Sequence, residues 1–246
     1  SEGEKNKKKY HRNNIIGTKN ILDSCRNSNV RNIIFSSSCA VYGNAKGQVN
    51  ENNRLKPISY YGHTKLIGER LIKKYKKKYL YNYGILRYFN VAGASSSGKI
   101  GEIQTSHGHL IKNIAIESQK ALPRIKIFGD NYETKDGTCV RDYIHVSDLA
   151  DIHIKSLNFL KKNKKSFILN CGYGKGYSVR EIINVFKKFK KNILIEITKR
   201  RKGDIAKVYS NTNKFKKILK WKPKHNNIKK IILSAINWEK KLNKKN

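Results

Sequence analysis

The spacing of apolar residues in the first ninety positions predicts alternating helices and strands. Residues 10–28 have the spacing of a helix, and the apolar runs 31–35 and 83–88 have the length and composition of buried parallel strands. Between these runs, apolar residues recur at helical spacing after Ser59, which is a suitable N-cap. The inner face of the first helix is predicted to carry Ile15, Ile21, Leu22 and Cys25.

After Gly93 the pattern changes to a long loop rich in Ser and Gly, residues 94–107, and then to further alternating elements. Helices are predicted at 110–121, 147–160, 178–189, 211–220 and 226–242, and strands at 125–128, 142–146, 166–169 and 193–197. Ser147 is a predicted N-cap, and Ser178 with Glu181 forms the S-x-x-E pattern of a capping box.

This order of elements predicts an α/β fold with a doubly wound, Rossmann-like parallel sheet, followed by a smaller C-terminal α/β part. Ligands of such sheets bind at the carboxyl ends of the strands. Two polar or aromatic segments fall at those ends, residues 36–38 and residues 89–90. We therefore expect a binding site there.

The chain is strongly basic, with 54 Lys and Arg residues, 17 Asp and Glu residues and a net charge of +37. The basic residues are mostly lysines, and they are spread among Asn and Ile instead of forming one stripe. We expect a compositional bias of the solvated surface and no specific nucleic-acid partner. Weak binding to polyanions is still expected from the charge itself.

The apolar runs, the cysteines and the glycines of the sequence show which other kinds of site are expected. The sequence has no run of 18 or more apolar residues, so no membrane span is predicted. The four cysteines lack metal-ligand spacing and are expected to be reduced thiols of a cytoplasmic protein. His145 is expected to be structural, and no metal is predicted.

The glycines at 172–176 lack the spacing of a phosphate-binding loop. Their position between a strand and a helix predicts a tight turn.

The candidate chemistry lies in segment 60–65, where Tyr61 and Lys65 are four residues apart on a predicted helix. Residues at this spacing share one helix face, so the phenol and the ammonium would point into the same space. A neighbouring cation lowers the pKa of a tyrosine, which would make Tyr61 a general base or acid for a hydroxyl group. Taken alone, the spacing of Tyr61 and Lys65 is equally compatible with a solvent-exposed helix face that has no chemical role. Lys and Tyr are abundant in this chain, so the spacing can arise by chance.

Several stretches, taken together and in order, resemble one enzyme family. They are NNxxGT at 13–18, FSSSCAVYG at 35–43, YYGHTK at 60–65, LRYFNVAGA at 86–94, IFG at 127–129, DGTCVRDYIHV at 136–146, DLAD at 148–151 and RRKGD at 200–204. Over about residues 10–240 the chain resembles the UDP-glucose 4-epimerases of the extended short-chain dehydrogenase/reductase family. The stretch at 136–146 favours the epimerases over their dehydratase and decarboxylase relatives.

The resemblance implies a tightly bound NAD and a UDP-sugar substrate, with UDP-glucose and UDP-galactose interconverted through a 4-keto intermediate. It implies that residues 1–92, with 142–172 returning to them, are the C-terminal part of an NAD-binding domain. Residues 93–246 would mainly form the UDP-sugar-binding domain. Members of the family are commonly homodimers through helices that correspond to 10–28 and 60–79.

The resemblance also assigns roles to individual residues. Tyr61 would take the proton from the sugar O4, Ser38 would relay or orient it, and Lys65 would lower the pKa of Tyr61 and bind the nicotinamide ribose. The predicted cofactor contacts are Asn13, Ser36, Ser38, Tyr61, Lys65 and Phe89. The predicted substrate contacts are Ser38, Tyr61, Asn90, His109, Leu110, Lys126, Phe128, Arg141, Arg201, Asp204 and Val208, with both arginines on the diphosphate. Val208 would leave room for an N-acetyl group on the sugar.

The chain departs from the family at its beginning. Family members start with a strand, a Gly-rich turn and a helix that hold the adenine half of NAD, and nothing before residue 10 matches them. We expect a fragment; a partner chain that supplies the missing half and a degenerate remnant are the alternatives. The functional alternatives are a UDP-N-acetylglucosamine 4-epimerase, another NAD-dependent nucleotide-sugar enzyme such as a dehydratase or decarboxylase, and a basic polyanion-binding remnant.

Overall fold

The computed structural model describes residues 2–28, 30–79, 81–103, 108–201 and 203–244. Its α-helices are α1 (Glu2–Lys5), α2 (Lys7–Tyr10), α3 (Gly17–Arg26), α4 (Tyr60–Tyr79), α5 (Leu110–Glu117), α6 (Val146–Asn163), α7 (Val179–Lys187), α8 (Asn213–Leu219) and α9 (Ile228–Asn243). Its strands are β1 (Asn32–Ser38), β2 (Gly47–Val49), β3 (Asn82–Tyr88), β4 (Asn90–Ala92), β5 (Arg124–Phe128), β6 (Val140–His145), β7 (Phe167–Cys171), β8 (Gly176–Ser178), β9 (Leu194–Thr198) and β10 (Lys207–Ser210). A π-helix (His11–Ile16) precedes α3, and a 3₁₀-helix (Cys39–Tyr42) follows β1.

The chain divides into two compact units. Unit 1 consists of Ser1–Phe89, Asp151–Cys171 and Asn211–Trp221, and unit 2 consists of Asn90–Ala150, Gly172–Ser210 and Lys222–Asn246. The first boundary lies three residues before the predicted one, and the returning segment starts at 151 instead of 142. Unit 1 also includes residues 211–221, which the sequence placed in the other domain. The cofactor and substrate roles of the two domains stay predictions.

Unit 1 is built on a parallel sheet with the strand order β1–β3–β7. In this sheet Ser37 is opposite Arg87, and Arg87 is opposite Asn170 on the third strand. Adjacent parallel strands need a crossover, and α4 supplies it between β1 and β3. The buried side chains of Ile85 and Leu86 lie on the central strand β3. The predicted parallel α/β fold is therefore confirmed.

Unit 2 has β6 at the centre of its larger sheet. The strands β4 and β10 pair with β6 in parallel, whereas β8 pairs with it antiparallel. The strands β5 and β9 form a separate parallel pair. Helices α5, α7 and α9 contribute buried apolar residues to one core, among them Ile114, Ile182, Phe186 and Ile232. This core supports the strand ends that carry the predicted substrate residues.

The predicted first helix and first strand differ from the structure in detail. The helical region contains a π-helix, and Ile21, predicted to face inward, is 62% exposed, whereas Leu22 is buried. The strand does not end at residue 35 but continues to Ser38, because residues 36–38 pair with residues 86–88 of β3. Most of its residues are only partly buried, since within the described chain β3 is its one sheet neighbour.

Two later helices begin or end elsewhere than predicted. Helix α5 ends at Glu117, not at 121, because the Ser118 hydroxyl donates to the Ala115 carbonyl and a proline follows at position 123. Helix α6 begins at Val146, so Ser147 is not its N-cap. The backbone N–H of Ser147 instead donates to Nδ1 of His145 at 3.1 Å, and the imidazole takes the place of a capping side chain.

Other local predictions are confirmed. Ser59 precedes α4, and its hydroxyl accepts a hydrogen bond from the Gly62 N–H at 3.1 Å. At the start of α7, Ser178 and Glu181 form both reciprocal bonds of a capping box. Part of the predicted loop 94–107, residues 104–107, lies outside the described residues.

The structure also bears on membranes, metals and thiols. No helix in the described ranges is long and apolar enough to cross a membrane. In the same part of the chain, no group of three or more His, Cys, Asp or Glu side chains is arranged to hold a metal ion. Within the described ranges, Cys25, Cys39, Cys139 and Cys171 are not joined in disulfides.

Candidate functional site

The N-terminus of α4 brings Tyr61 to the end of strand β1. The Ser59 cap starts the helix immediately before this residue, and Tyr61 is half-buried in its first turn. The side chain of Ser38, the last residue of β1, lies close enough to the Tyr61 phenol to lower its pKa. Ser38 is also the N-cap of the following 3₁₀-helix, where its hydroxyl accepts from the Ala40 N–H at 3.2 Å. Two structural caps therefore position the Tyr61–Ser38 pair.

Lys65 follows one helical turn later on the same face of α4. Its ammonium donates to the backbone carbonyl of Ser36 at 3.0 Å. It also lies 5.5 Å from the centroid of the Phe35 ring and 5.7 Å from the centroid of the Tyr61 ring. The ammonium is thus placed over strand β1 and beside the Tyr61 ring.

The pKa values of Tyr61 and Lys65 are both shifted by burial. Burial raises the pKa of the Tyr61 phenol, and the Ser38 side chain opposes this shift. Burial also lowers the pKa of Lys65. The Lys65 ammonium donates to the Ser36 carbonyl, and the lowering of the Tyr61 pKa by Lys65 stays a prediction. The side chain that favours the phenolate is Ser38.

Two residues that the sequence analysis missed extend this arrangement. The Tyr88 hydroxyl, at the end of β3, donates to the Ser36 hydroxyl at 2.7 Å. It also lies 2.5 Å from Nε2 of His153 on α6. Burial raises the pKa of Tyr88 to about 12, so its phenol stays neutral at physiological pH. Tyr88 stands inside one of the family motifs, but nothing in the local pattern identifies His153.

The two remaining cofactor candidates of unit 1 lie in different surroundings. Phe89 is buried, and its N–H donates to the Cys171 carbonyl at 3.2 Å. Asn13 is exposed on the π-helix. Its neighbour Asn14 makes the bond to α4, from its side-chain amide to the Thr64 hydroxyl at 3.0 Å. The structure therefore ties Asn14, and not Asn13, to the helix that carries Tyr61.

Unit 2 places Asn90 and His109 along one small cleft. The other residues that line the cleft include Glu102, Lys112, Trp238 and Glu239. Nδ1 of His109 lies 3.6 Å from the Glu102 carboxylate, at the cleft surface. Leu110, the neighbour of His109, packs against the apolar core of the unit. Of these predicted substrate residues, Asn90 and His109 are therefore brought together and Leu110 faces the core.

A second group of predicted substrate residues surrounds strand β5. The Arg201 guanidinium lies 3.5 Å from the centroid of the Phe128 ring. The backbone N–H of Asp204 donates to the Arg201 carbonyl at 3.2 Å, and the Asp204 side chain is exposed. Lys126 is also exposed, with its ammonium 3.5 Å from the Glu196 carboxylate. This end of β5 therefore presents an aromatic ring with a guanidinium on its face.

The neighbouring Arg200 differs clearly from Arg201. Nε of Arg200 donates to the side-chain carbonyl of Asn131 at 2.7 Å, and its guanidinium lies 4.1 Å from the centroid of the Tyr132 ring. These contacts bind Arg200 to a loop of its own unit. Arg201 is the arginine of the pair that remains available for a ligand oxygen.

Arg141 and Val208 lie opposite each other on β6 and β10. The Arg141 side chain is partly buried, and its guanidinium donates to the Val140 carbonyl at 2.9 Å. Val208 is 3% exposed. The pair thus places one cation and one small apolar side chain at the same level of the sheet.

The glycine-containing turn 172–176 is closed by a carboxylate of the chain itself. The backbone N–H groups of Tyr173 and Gly174 donate to Asp142 at 2.9 and 3.0 Å. Ser210 also donates to Asp142, through both its N–H and its hydroxyl. These backbone donors are therefore not free to bind a phosphate, and the predicted structural turn is confirmed.

His145 is also structural, as predicted. It is buried, its Nδ1 accepts from the Ser147 N–H, and its ring stacks on that of His225 with the centroids 4.5 Å apart. Burial lowers the pKa of His145, so the neutral imidazole is favoured.

The chain as a whole is similar to known proteins of one family. The profile of the NAD dependent epimerase/dehydratase family matches residues 1–172. The chain is 42% identical over 234 residues to a UDP-glucose 4-epimerase of Lactobacillus helveticus, covering 94% of this chain and 71% of the relative. Among solved structures, it is similar to a UDP-glucose 4-epimerase from Stenotrophomonas maltophila with bound NAD and formylated UDP-arabinopyranose, with a TM-score of 0.94 and 34% identity over 100% of this chain and 74% of the other. It is also similar to the enzyme from Bifidobacterium longum in complex with NAD+ and UDP, with a TM-score of 0.86 and 35% identity over 95% and 70%.

Proposed function

The chain belongs to the NAD-dependent epimerase/dehydratase family, and on that premise we propose that it is a UDP-glucose 4-epimerase that interconverts UDP-glucose and UDP-galactose. The observation that carries the proposal is the placement of Tyr61 and Lys65 on one face of α4 against the end of β1, where Ser38 lowers the pKa of the Tyr61 phenol and Lys65 donates to the Ser36 carbonyl. The curated relatives are named UDP-glucose 4-epimerases. The dehydratase, decarboxylase and polyanion-binding alternatives are therefore not favoured.

The donors of unit 1 fit a bound NAD. The Lys65 ammonium has three N–H groups, and its one described hydrogen bond goes to the Ser36 carbonyl, which leaves donors for the hydroxyls of a ribose. We assign Asn13, Ser36 and Phe89 to the same cofactor, as the family resemblance implies. A bound NAD would supply the acceptor and the donor for the hydride at C4 of the sugar.

The acid–base work falls to Tyr61 and Ser38. Tyr61 removes the proton from the sugar O4 as the hydride leaves and returns it when the hydride comes back, while Ser38 orients that proton. Because burial raises the pKa of Tyr61, the phenolate is the minor form at neutral pH. The Ser38 hydroxyl favours that form by donating to the phenolate oxygen.

Unit 2 supplies the groups for the anionic part of the substrate. A UDP-sugar carries a diphosphate, and the forked guanidinium groups of Arg141 and Arg201 match phosphate oxygens. The Phe128 ring beneath Arg201 offers an apolar surface for the uracil, and the exposed Lys126 lies two residues earlier on the same strand. Asp204 would accept a hydrogen bond from the ribose, and Asn90, His109 and Leu110 would complete the nucleotide-sugar contacts.

The proposal is tested by replacing Tyr61 with phenylalanine. Tyr61→Phe removes the hydroxyl that exchanges the O4 proton, so the conversion of UDP-galactose to UDP-glucose should fall by about a hundredfold or more. The matched control is Tyr60→Phe, the same chemical change at the preceding position. Equal activity of the two variants, or no conversion by the unmodified protein with NAD present, would contradict the proposal.

The sugar pocket is tested at Val208. The small side chain should leave room for a 2-acetamido group, so UDP-N-acetylglucosamine should also be epimerised. Val208→Tyr should remove this second activity and retain turnover of UDP-glucose. A protein that epimerises UDP-glucose at full rate but shows no rate with UDP-N-acetylglucosamine would disprove this assignment.

We also propose a homodimer that uses the helices of residues 11–26 and α4. Ile16 and Ile21 are exposed on this region, and exposed apolar residues on neighbouring turns are typical of an interface. Light scattering after gel filtration should show a dimer, and Ile21→Lys should weaken it. Ile154→Lys is the matched control, because Ile154 is equally exposed on α6. A monomer at micromolar concentration would contradict the proposal.

A further inference from the structure

A buried carboxylate lies on the same face of α4 as the two proposed active-site residues. Tyr61, Lys65 and Glu69 follow one another at intervals of four residues. Glu69 is 0% exposed. Arg87 holds it through two bonds, Nε to Oε1 at 2.9 Å and Nη2 to Oε2 at 2.7 Å, and the Ser37 hydroxyl donates to Oε1 at 2.6 Å. Glu69 is therefore fixed by two strands at once.

The groups that hold Glu69 belong to one row across the sheet. Ser37, Arg87 and Asn170 are successive partners on β1, β3 and β7. Nη1 of Arg87 donates to the Tyr42 hydroxyl at 2.9 Å, and that hydroxyl donates to the side-chain carbonyl of Asn170 at 2.6 Å. The polar groups of this row thus satisfy one another beneath the helix.

Stability alone does not explain such a row. Replacing a buried ion pair by apolar side chains of similar size is often neutral or stabilising, because the desolvation of two charges offsets their attraction. A buried pair can instead define the position of one element on another, since a shifted helix would leave both charges without partners. The geometry around Glu69 shows which element it can define.

Side chains from three successive turns of α4 lie against three consecutive residues of β1. Tyr61 lies beside Ser38, which lowers the pKa of its phenol, Lys65 donates to the carbonyl of Ser36, and Glu69 accepts from the Ser37 hydroxyl. Of the three, Glu69 is the most deeply buried and is the one that is also tied to β3. A slip of α4 by one residue would move its side chains by about 1.5 Å along the axis and 100° around it. Such a slip cannot occur while Glu69 keeps its bonds.

We propose that the Glu69–Arg87 pair is a positioning device that fixes the register of α4 on β1 and thereby the distances from Tyr61 and Lys65 to their partners on that strand. The catalytic consequence of this role rests on the proposed function. Glu69 and Arg87 touch neither substrate nor cofactor in this role, and they act through Tyr61 and Lys65.

The first test observes Tyr61 directly and needs no enzymatic activity. Protein labelled with carbon-13 at the tyrosine ζ position gives one signal per tyrosine, and Tyr61→Phe identifies the signal of Tyr61. The double variant Glu69→Leu/Arg87→Met removes both charges and retains apolar volume, so the fold is expected to persist. If the pair fixes the register, the Tyr61 signal moves and its titration shifts to a different pH. An unchanged chemical shift and titration in a folded double variant would overturn the proposal.

A matched control separates positioning from loss of stability. Ile72→Ala leaves a cavity under the same helix without touching the polar row, because Ile72 is buried two turns beyond Lys65. This variant should lower the melting temperature and leave the Tyr61 titration in place. If it moves the titration as much as the double variant does, the polar row has no special role and the proposal fails.

The second test uses the epimerase reaction. Glu69→Gln keeps the size and the acceptor oxygen but removes the charge, and the double variant removes the pair. For a positioning role, kcat should fall by about tenfold for Glu69→Gln and a hundredfold for the double variant, with KM for UDP-galactose unchanged. A rise in KM with unchanged kcat would contradict it. An inactive unmodified protein would refute the proposed function alone, since the titration of Tyr61 would still decide the role of Glu69.

Discussion

The Tyr61 phenol and the Lys65 ammonium share a helix face but lie against different residues of strand β1. The Lys65 ammonium donates to the carbonyl of Ser36 at 3.0 Å and lies 5.7 Å from the centroid of the Tyr61 ring, while Ser38 lowers the pKa of the Tyr61 phenol. The pKa of Tyr61 is accordingly set by burial and by Ser38. This division of roles separates the residue that prepares the base from the residue that remains available for the cofactor.

Ser38 should therefore control the pH dependence of the reaction. Burial raises the pKa of Tyr61, so the rate should rise with pH as the phenolate forms. Ser38→Ala removes the side chain that lowers the pKa of the Tyr61 phenol, so the rising limb of the kcat profile should move to higher pH and kcat at neutral pH should fall about tenfold or more. Ser38→Thr keeps a hydroxyl and should leave the limb in place. A limb that does not move in Ser38→Ala would show that another group sets the pKa.

The two adjacent arginines at 200 and 201 should differ in their effect on nucleotide binding. A charged hydrogen bond to phosphate contributes about 1.5–3 kcal/mol, so Arg201→Ala should weaken UDP binding by about tenfold to a hundredfold in calorimetry. Arg200→Ala is the control, because Arg200 is bound to Asn131 and packs on Tyr132. It should affect stability more than affinity. Equal losses of UDP affinity would show that Arg201 is not the phosphate ligand.

Replacing each of two buried serines by alanine should change the free energy of unfolding differently. Ser178 caps α7, and its hydroxyl also donates to Asp136, so Ser178→Ala should lower the free energy of unfolding by about 1–2 kcal/mol. Among the described residues, the Ser156 hydroxyl has no hydrogen-bond partner, so Ser156→Ala should be neutral or stabilising. Denaturation in urea measures both changes. A destabilised Ser156→Ala would mean that its hydroxyl has a partner in solution.

His145 should make the protein less stable in acid. Burial and the stacked ring of His225 lower its pKa in the folded state, and the Asp148 carboxylate only partly opposes this. An unfolded histidine titrates near about 6.5, so this contribution to stability is complete above that pH and is lost as the pH falls below it. The free energy of unfolding should decline from pH 7 to 5 and decline less in His145→Gln.

The control for this histidine is His11→Gln, because His11 is exposed on the π-helix. This change should leave the pH dependence of unfolding as it is in the unmodified protein. If His145→Gln shows the same acid dependence as the unmodified protein, the titrating group lies elsewhere.

Local patterns in the sequence were sufficient to predict most of the helices and strands. The apolar spacing after Ser59 predicts α4, the pair Ser178 and Glu181 predicts the start of α7, and the runs at 83–88 and 125–128 predict strands β3 and β5. These predictions succeed because a cap or an apolar period depends on residues a few positions apart. The motifs that carry the family resemblance are of the same local kind.

Contacts between distant segments could not be predicted in this way. The target of the Lys65 ammonium, the bond of Asn14 instead of Asn13 to Thr64, and the use of the His145 ring as a cap all depend on where another segment lies. Glu69 shows this most clearly. On the sequence it is one more charged residue of a basic helix, and its role follows from two strands that bring Ser37 and Arg87 beneath it. Residue order encodes periods and caps, whereas the partner of a buried charge is set by the packing of elements that are far apart along the chain.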